Sequence, residues 1–120
     1  MRELTGHKVN EANDQLTVEA VDEPGHGGAC HRYRISGFST ATNPSFDGNF
    51  PYKGVEFYFQ NGPINESGVN GVTHEALLAI LIDRLQGFQD GPYACIENGD
   101  ALHLLEGAQQ ILHARTKARM

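Results

Sequence analysis

The sequence predicts an α+β fold, in which an N-terminal antiparallel β-sheet is followed by a C-terminal antiparallel two-helix hairpin. Apolar residues recur at every second position in the first half of the chain and at every third or fourth position in the second half. A length of 120 residues is enough for one hydrophobic core. We therefore expect a single domain over 1–120, with the sheet in 1–68 and the helical hairpin in 69–120.

Three strands are predicted in the first half. Residues 16–20 alternate between apolar and polar side chains, as in a strand with one solvent-exposed face. The glycine-rich segment 24–28 then turns the chain, and alternation resumes over 30–38, which we expect to pair with the first strand. Residues 39–51 contain two prolines and no period, which indicates a long surface loop, and 55–59 form the third strand.

The ends of this sheet region carry weaker signals. Residues 1–13 show no clear period, so no element is predicted there. Asn61 and Gly62 are typical of a hairpin turn. Pro63 has no N–H to donate, so the segment after it is predicted to be at most an edge strand.

Two helices are predicted in the second half. Thr73 is a favourable N-cap, and helical spacing of apolar residues continues to about Gln89, before a Gly-Pro pair ends the helix. A second helix begins between Cys95 and Asn98. Because the connection is so short, the two helices must pack antiparallel.

The first helix also predicts self-association. Residues 76–82 are apolar nearly all round, whereas a surface helix of a small domain needs one apolar stripe. We therefore expect part of this surface to be covered by another subunit of a homo-oligomer.

Charge and hydropathy exclude several classes of protein. The net charge of −6 disfavours binding to polymer nucleic acid, which requires many cations. The chain has neither the 18 or so consecutive apolar residues of a membrane span nor an N-terminal apolar signal segment. We expect a cytoplasmic protein with no membrane partner, whose two cysteines are reduced.

The sequence contains no established catalytic or metal-binding motif, so no metal, no cofactor and no catalytic residue is predicted. The six histidines include no HxxH or HExxH pair, and there is no CxxC. His26, Cys30 and His31 lie around a glycine turn, where a catalytic Cys/His pair stays open as an alternative to a plain turn and strand.

The end of the second helix is locally basic. Arg115 and Arg119 are four residues apart, so they project from one helix face and could hold a phosphate or pyrophosphate. Cations are also favoured at a helix C-terminus by the macrodipole, without any ligand.

Four segments of the hairpin resemble the phage Thoeris anti-defence family, the cyclic ADP-ribose sponges. They are VNGVTHEALL at 69–78, DRLQGFQ at 83–89, PYACIEN at 92–98 and HARTKAR at 113–119. The resemblance implies a sheet followed by a helical hairpin, assembly into homo-oligomers up to hexamers, and sequestration of a cyclic ADP-ribose variant without degradation. The hairpin is also similar to that of phage anti-CBASS sponges, which implies cyclic di- or trinucleotides as further ligands, with no residues assigned to them.

In this family an aromatic residue near the end of the first helix, an Asn at the start of the second and two Arg near its end line the ligand pocket. The matching residues are Phe88, Asn98, Arg115 and Arg119. Phe88 could stack on adenine, Asn98 could hydrogen-bond the base or ribose, and the arginines could neutralise the pyrophosphate. Each also has a plain structural alternative. Phe88 could be a core residue, Asn98 could be an N-cap, and the arginines could be a solvated helix end. Ile96 and Gly99, beside Asn98, depart from the family pattern.

Helix geometry separates the members of this set. Asn98 and Arg115 are 17 residues apart, which on one helix separates them by roughly 25 Å. If the set forms one pocket, Phe88 and Asn98 must come from one subunit and the arginines from a neighbour. Oligomerisation is then a condition of binding.

The sequence therefore predicts a non-enzymatic sponge that acts in the cytoplasm of an infected bacterial host. Two other classes stay open. One is a small acidic inhibitor that binds a host defence protein directly, and the other is a cyclic-nucleotide hydrolase that uses His26, His31 or a cysteine.

Overall fold

A computed structural model describes residues 1–118. The chain divides into two compact units, Met1–Gly71 with the sheet and a second unit from Val72 onward with the helical hairpin. Over the described residues, the structure has no helix that combines the length and apolar character needed to cross a bilayer.

The sheet is an antiparallel meander of four strands in the described part of the chain, in the order β1-β2-β3-β4. The strands are β1 (Arg2–Leu4), β2 (Thr17–Ala20), β3 (Arg32–Ser36) and β4 (Gly54–Tyr58). The three predicted strands and the pairing of the first two are confirmed. β1 was not predicted, because three residues are too few to show an alternating period.

The two faces of the sheet differ in chemistry. Tyr33 lies opposite Phe57, and Ile35 lies opposite Val55, on one face. The side chains between them point to the other face, where Arg34 lies between strands that carry acidic residues. The predicted alternation along β3 is therefore confirmed.

Carboxylates and guanidinium groups pair with one another on the charged face. Arg34 Nη2 lies 3.1 Å from Glu19 Oε1, and Arg32 Nη2 donates to both carboxylate oxygens of Glu56 at 3.1 Å. The hydrogen bond from Arg32 holds the pKa of the Glu56 carboxyl below its ordinary value. Both arginines of β3 thus pair with carboxylates of the same chain.

Short helical pieces lie between the strands and after the last one. They are α1 (Glu11–Asp14), single 3-10 turns at His26–Gly28 and Thr40–Thr42, and α2 (Ile64–Ser67). The prediction of at most an edge strand after Pro63 is replaced by α2. Proline suits this position, because the first N–H groups of a helix have no intrahelical acceptor.

The second unit is the predicted helical hairpin, α3 (His74–Gln89) and α4 (Ile96–Ala118). Thr73 caps α3, with its Oγ1 accepting a hydrogen bond from the N–H of Ala76 at 3.1 Å. The hydroxyl of Thr116 lies 3.4 Å from Glu75 Oε2, so the end of α4 meets the start of α3. The helices are therefore antiparallel, and both predicted starts are confirmed.

The hairpin has little core of its own. No residue of α3 or α4 in the described range is fully buried. Ile80 is 63% exposed, and both Leu104 and Ile111 are 71% exposed. Exposed apolar residues also occur in the sheet unit, so what sets the hairpin apart is that none of the described residues of its helices is buried.

Candidate functional site

Phe88 lies near the end of α3, where its ring lines an open groove. The groove has a volume of about 790 Å³ and is also lined by Ala79, Ile80, Asp83, Arg84 and Gly87. Gly87 has nothing near the position that a Cβ would occupy, so the groove stays open beside the ring. The half-buried Phe88 is thus accessible to a planar ligand.

Two neighbours orient the Phe88 ring. The guanidinium carbon of Arg84 lies 5.0 Å from the ring centroid, within the range of a cation–π interaction. The Tyr93 ring approaches at a centroid distance of 6.5 Å, with its plane at 65°. Sequence reasoning missed both. The i, i+4 spacing of Arg84 and Phe88 could have revealed the first contact, whereas that of Tyr93 depends on the turn.

Asn98 is the third residue of α4, so the alternative that it is an N-cap is wrong. Its backbone N–H donates to the sulfur of Cys95 at 3.4 Å. Its side chain makes no hydrogen bond within residues 1–118, and it is not among the residues that line the groove. Asn98 and Phe88 both lie at the tip of the hairpin, where the two helices are joined.

Arg115 lies at the opposite end of the hairpin. It is exposed and forms no ion pair among the described residues, and the adjacent Thr116 contacts the start of α3. Because α4 is continuous from Ile96, the helical rise separates Arg115 from Asn98 by roughly 25 Å. Arg119 lies outside the described residues. The structure therefore brings Phe88 and Asn98 to one end and Arg115 to the other.

The glycine-turn cluster has a structural role. The buried thiol of Cys30 donates to the carbonyl of Asp22 at 3.3 Å. The Asp22 carboxylate accepts the backbone N–H groups of His31 at 3.0 Å and Arg32 at 3.1 Å, and the bond from His31 is the main cause of the lowered pKa of Asp22. Across residues 1–118, neither thiol is hydrogen-bonded to a histidine, and no three metal-ligating side chains come together.

Comparison with known proteins identifies the hairpin. A curated relative, "Thoeris anti-defense 1" of Bacillus phage SBSphiJ7, is 48% identical over 61 residues. The match covers 51% of this chain and 43% of the relative, so the chain matches less than half the length of that protein.

The family match is longer and includes both long helices. Residues 52–117 match the Acb2/Tad1 hairpin domain, a range that contains β4, all of α3 and nearly all of α4. The resemblance stated from the hairpin segments is thereby confirmed. The chain belongs to the Acb2/Tad1 hairpin-domain family.

Proposed function

We propose that this chain is a phage anti-defence protein that binds and sequesters a cyclic ADP-ribose-type signal of bacterial Thoeris immunity, without degrading it, in the cytoplasm of the infected host. The observation that carries the proposal is the family match to the hairpin. The curated phage relative, which is named for an action against Thoeris, supports the same function. Sequestration needs no nucleophile, base or metal.

The side chains of the hairpin suit this ligand. Phe88 offers a ring face in an open groove, on which adenine can stack. Asn98 has free donors and acceptors for the base or ribose. Arg115 and Arg119 supply charge-assisted hydrogen bonds for the pyrophosphate. To these we add Arg84, whose guanidinium fixes the Phe88 ring and lines the same groove.

The separation of these side chains calls for a homo-oligomer. Since one chain places Arg115 roughly 25 Å from Asn98, a ligand held by both needs Arg115 and Arg119 of a neighbouring copy. The exposed apolar residues of α3 and α4 provide a surface on which such copies can associate. We propose assembly up to a hexamer, with each tip completed by the helix end of another subunit.

The test is to identify what the protein retains. The purified protein is incubated with lysate from cells whose Thoeris sensor is active, then washed, denatured by heat and analysed by mass spectrometry. Release of an intact cyclic ADP-ribose variant supports sequestration, and release of a converted product supports a hydrolase. The same spectra show whether cyclic di- or trinucleotides are retained.

A matched sample with the Arg115→Ala and Arg119→Ala substitutions is the control. Loss of the released nucleotide in this variant assigns retention to the proposed site. If neither protein releases a nucleotide and both capture a host defence protein, the direct-inhibitor alternative replaces the sponge.

A further inference from the structure

The turn between the two helices is closed by one side chain, Gln89. Its Nε2 donates to the backbone carbonyl of Cys95 at 3.0 Å, and its Oε1 accepts the N–H of the same residue at 3.0 Å. A primary amide is required for both bonds, because a carboxylate cannot donate. Gln89 therefore fixes the backbone of Cys95 at two points.

We call the two hydrogen bonds between Gln89 and Cys95 the clamp. Both of its residues adjoin the proposed ligand-binding residues. Gln89 is the last residue of α3 and directly follows Phe88. Cys95 directly precedes α4, and its sulfur accepts the N–H of Asn98 at 3.4 Å. Tyr93, whose ring meets Phe88, lies inside the turn that the clamp closes. The clamp thus links the backbone beside Phe88 to the backbone that carries Asn98.

Gly99 is explained by the same amide. A Cβ at position 99 would lie 3.2 Å from Gln89 Nε2, closer than side chains normally approach. A glycine inside a helix costs about 1 kcal/mol relative to alanine, so its presence in α4 needs a reason. The reason is the space that the Gln89 amide occupies beside the first turn of α4.

We propose that Gln89 is a positioning residue for the ligand site at the hairpin tip. It does not bind the signal itself; it holds the start of α4, and with it Asn98 and Tyr93, in a fixed place relative to Phe88. Without the clamp, the ligand must order the turn when it binds, which lowers affinity without removing any contact. This inference rests on the proposed function, since it assigns Gln89 a part in the same site.

The experiment measures the Kd for cyclic ADP-ribose by calorimetry on the full-length assembly, with the wild type and three variants. Gln89→Ala removes both hydrogen bonds, and Gln89→Glu keeps the acceptor while it loses the donor. Gln86→Ala is the matched control, because the Gln86 side chain lies one turn earlier on α3, makes no hydrogen bond within residues 1–118 and does not line the groove.

We expect Gln89→Ala to raise the Kd about tenfold, which corresponds to about 1.4 kcal/mol. Gln89→Glu should also raise the Kd, because its carboxylate repels the Cys95 carbonyl, and Gln86→Ala should leave the Kd unchanged. The measurement is made well below the unfolding midpoint of every variant, where a purely structural role lowers the midpoint but leaves the Kd of the folded protein unchanged. If Gln89→Ala does not fold, the Kd of Gln89→Glu is compared with that of the wild type instead.

Two negative results have different meanings. Equal Kd values for the wild type and the Gln89 variants would overturn the positioning role and leave the proposed function standing. If the wild-type protein binds neither cyclic ADP-ribose nor the nucleotide released in the retention experiment, the proposed function fails, and the positioning role fails with it.

Discussion

The sheet unit and the hairpin unit differ in how completely one chain pairs their arginines with acidic residues and buries their side chains. In the sheet unit, Ala20 and Cys30 are buried, and the arginines of β3 pair with acidic residues on neighbouring strands. In the hairpin, none of the described residues is fully buried, and Arg115 has no acidic partner.

The difference lies in charge pairing and burial, because exposed large apolar residues occur in both units, Val9 and Phe50 among them. A surface whose charges are already paired has less to gain from an anionic ligand, because the existing pairs must be broken first. Among the described residues of the hairpin, Arg115 is exposed and has no acidic partner, so its guanidinium is available to an anion. The family match also includes the whole of α3 and nearly all of α4.

The largest effect is expected from a charge on the apolar surface of the hairpin. Ile111→Glu places a carboxylate on a residue that is 71% exposed in the single chain. If copies associate through this surface, burial of an unpaired charge there should disrupt the assembly and abolish ligand retention. Analytical ultracentrifugation and nucleotide retention measure the two effects.

The matched control is Val9→Glu, in the sheet unit, at a residue that is 77% exposed. We expect it to leave both assembly and retention unchanged. An Ile111→Glu variant with the wild-type sedimentation coefficient would exclude this part of the surface from the subunit contact.

The next largest effect is expected from the basic end of α4. Combined Arg115→Ala and Arg119→Ala substitutions should abolish retention while assembly and helicity persist. Hydrogen bonds to charged groups are worth about 1.5–3 kcal/mol each, so two arginines account for a loss of roughly 100-fold or more. Retention at wild-type strength would remove these residues from the site.

A smaller loss of ligand affinity is expected when Phe88 is removed from the groove on α3. Phe88→Ala removes a stacking surface worth about 1–3 kcal/mol, which corresponds to roughly a 5- to 150-fold rise in Kd. Phe50→Ala is the control, since Phe50 is an aromatic residue of the sheet unit that is 85% exposed. Equal affinities of the two variants would place the stacking partner elsewhere.

The smallest effect on binding is expected in the sheet unit, where Asp22→Asn should act on stability alone. The lowered pKa of the Asp22 carboxyl means that its contribution is present above its ordinary pKa of about 4 and is lost as pH falls below it. Asp22→Asn should therefore lower the Tm at pH 7, and this difference should shrink toward pH 3. A pH-independent difference in Tm would assign the effect to something other than the carboxylate charge.

Much of the fold could be predicted from the sequence, because the longer elements repeat their period several times. β2 to β4 and both hairpin helices follow from that period and from the Thr73 cap. β1 is too short to show a period, and α2 was mistaken for a possible edge strand because proline suits both.

The candidate site was predicted through a family resemblance rather than through its chemistry. Phe88, Asn98, Arg115 and Arg119 each have an ordinary structural explanation when taken singly. The contacts that Gln89 and Tyr93 make depend on the conformation of the turn at 90–95, which no spacing rule gives. Arg84 was within reach of the i, i+4 rule and was missed.

The central claim, that one subunit's hairpin tip is completed by another subunit's helix end, is tested most directly by complementation. Phe88→Ala and Arg115→Ala proteins are prepared separately, unfolded together, refolded as a mixture and assayed for retention of the cyclic ADP-ribose variant that the wild-type protein retains. In a mixed pair, one pocket carries both substitutions and the other carries none, so about a quarter of the wild-type sites should return. Retention no greater than that of either variant alone would contradict a pocket shared between subunits.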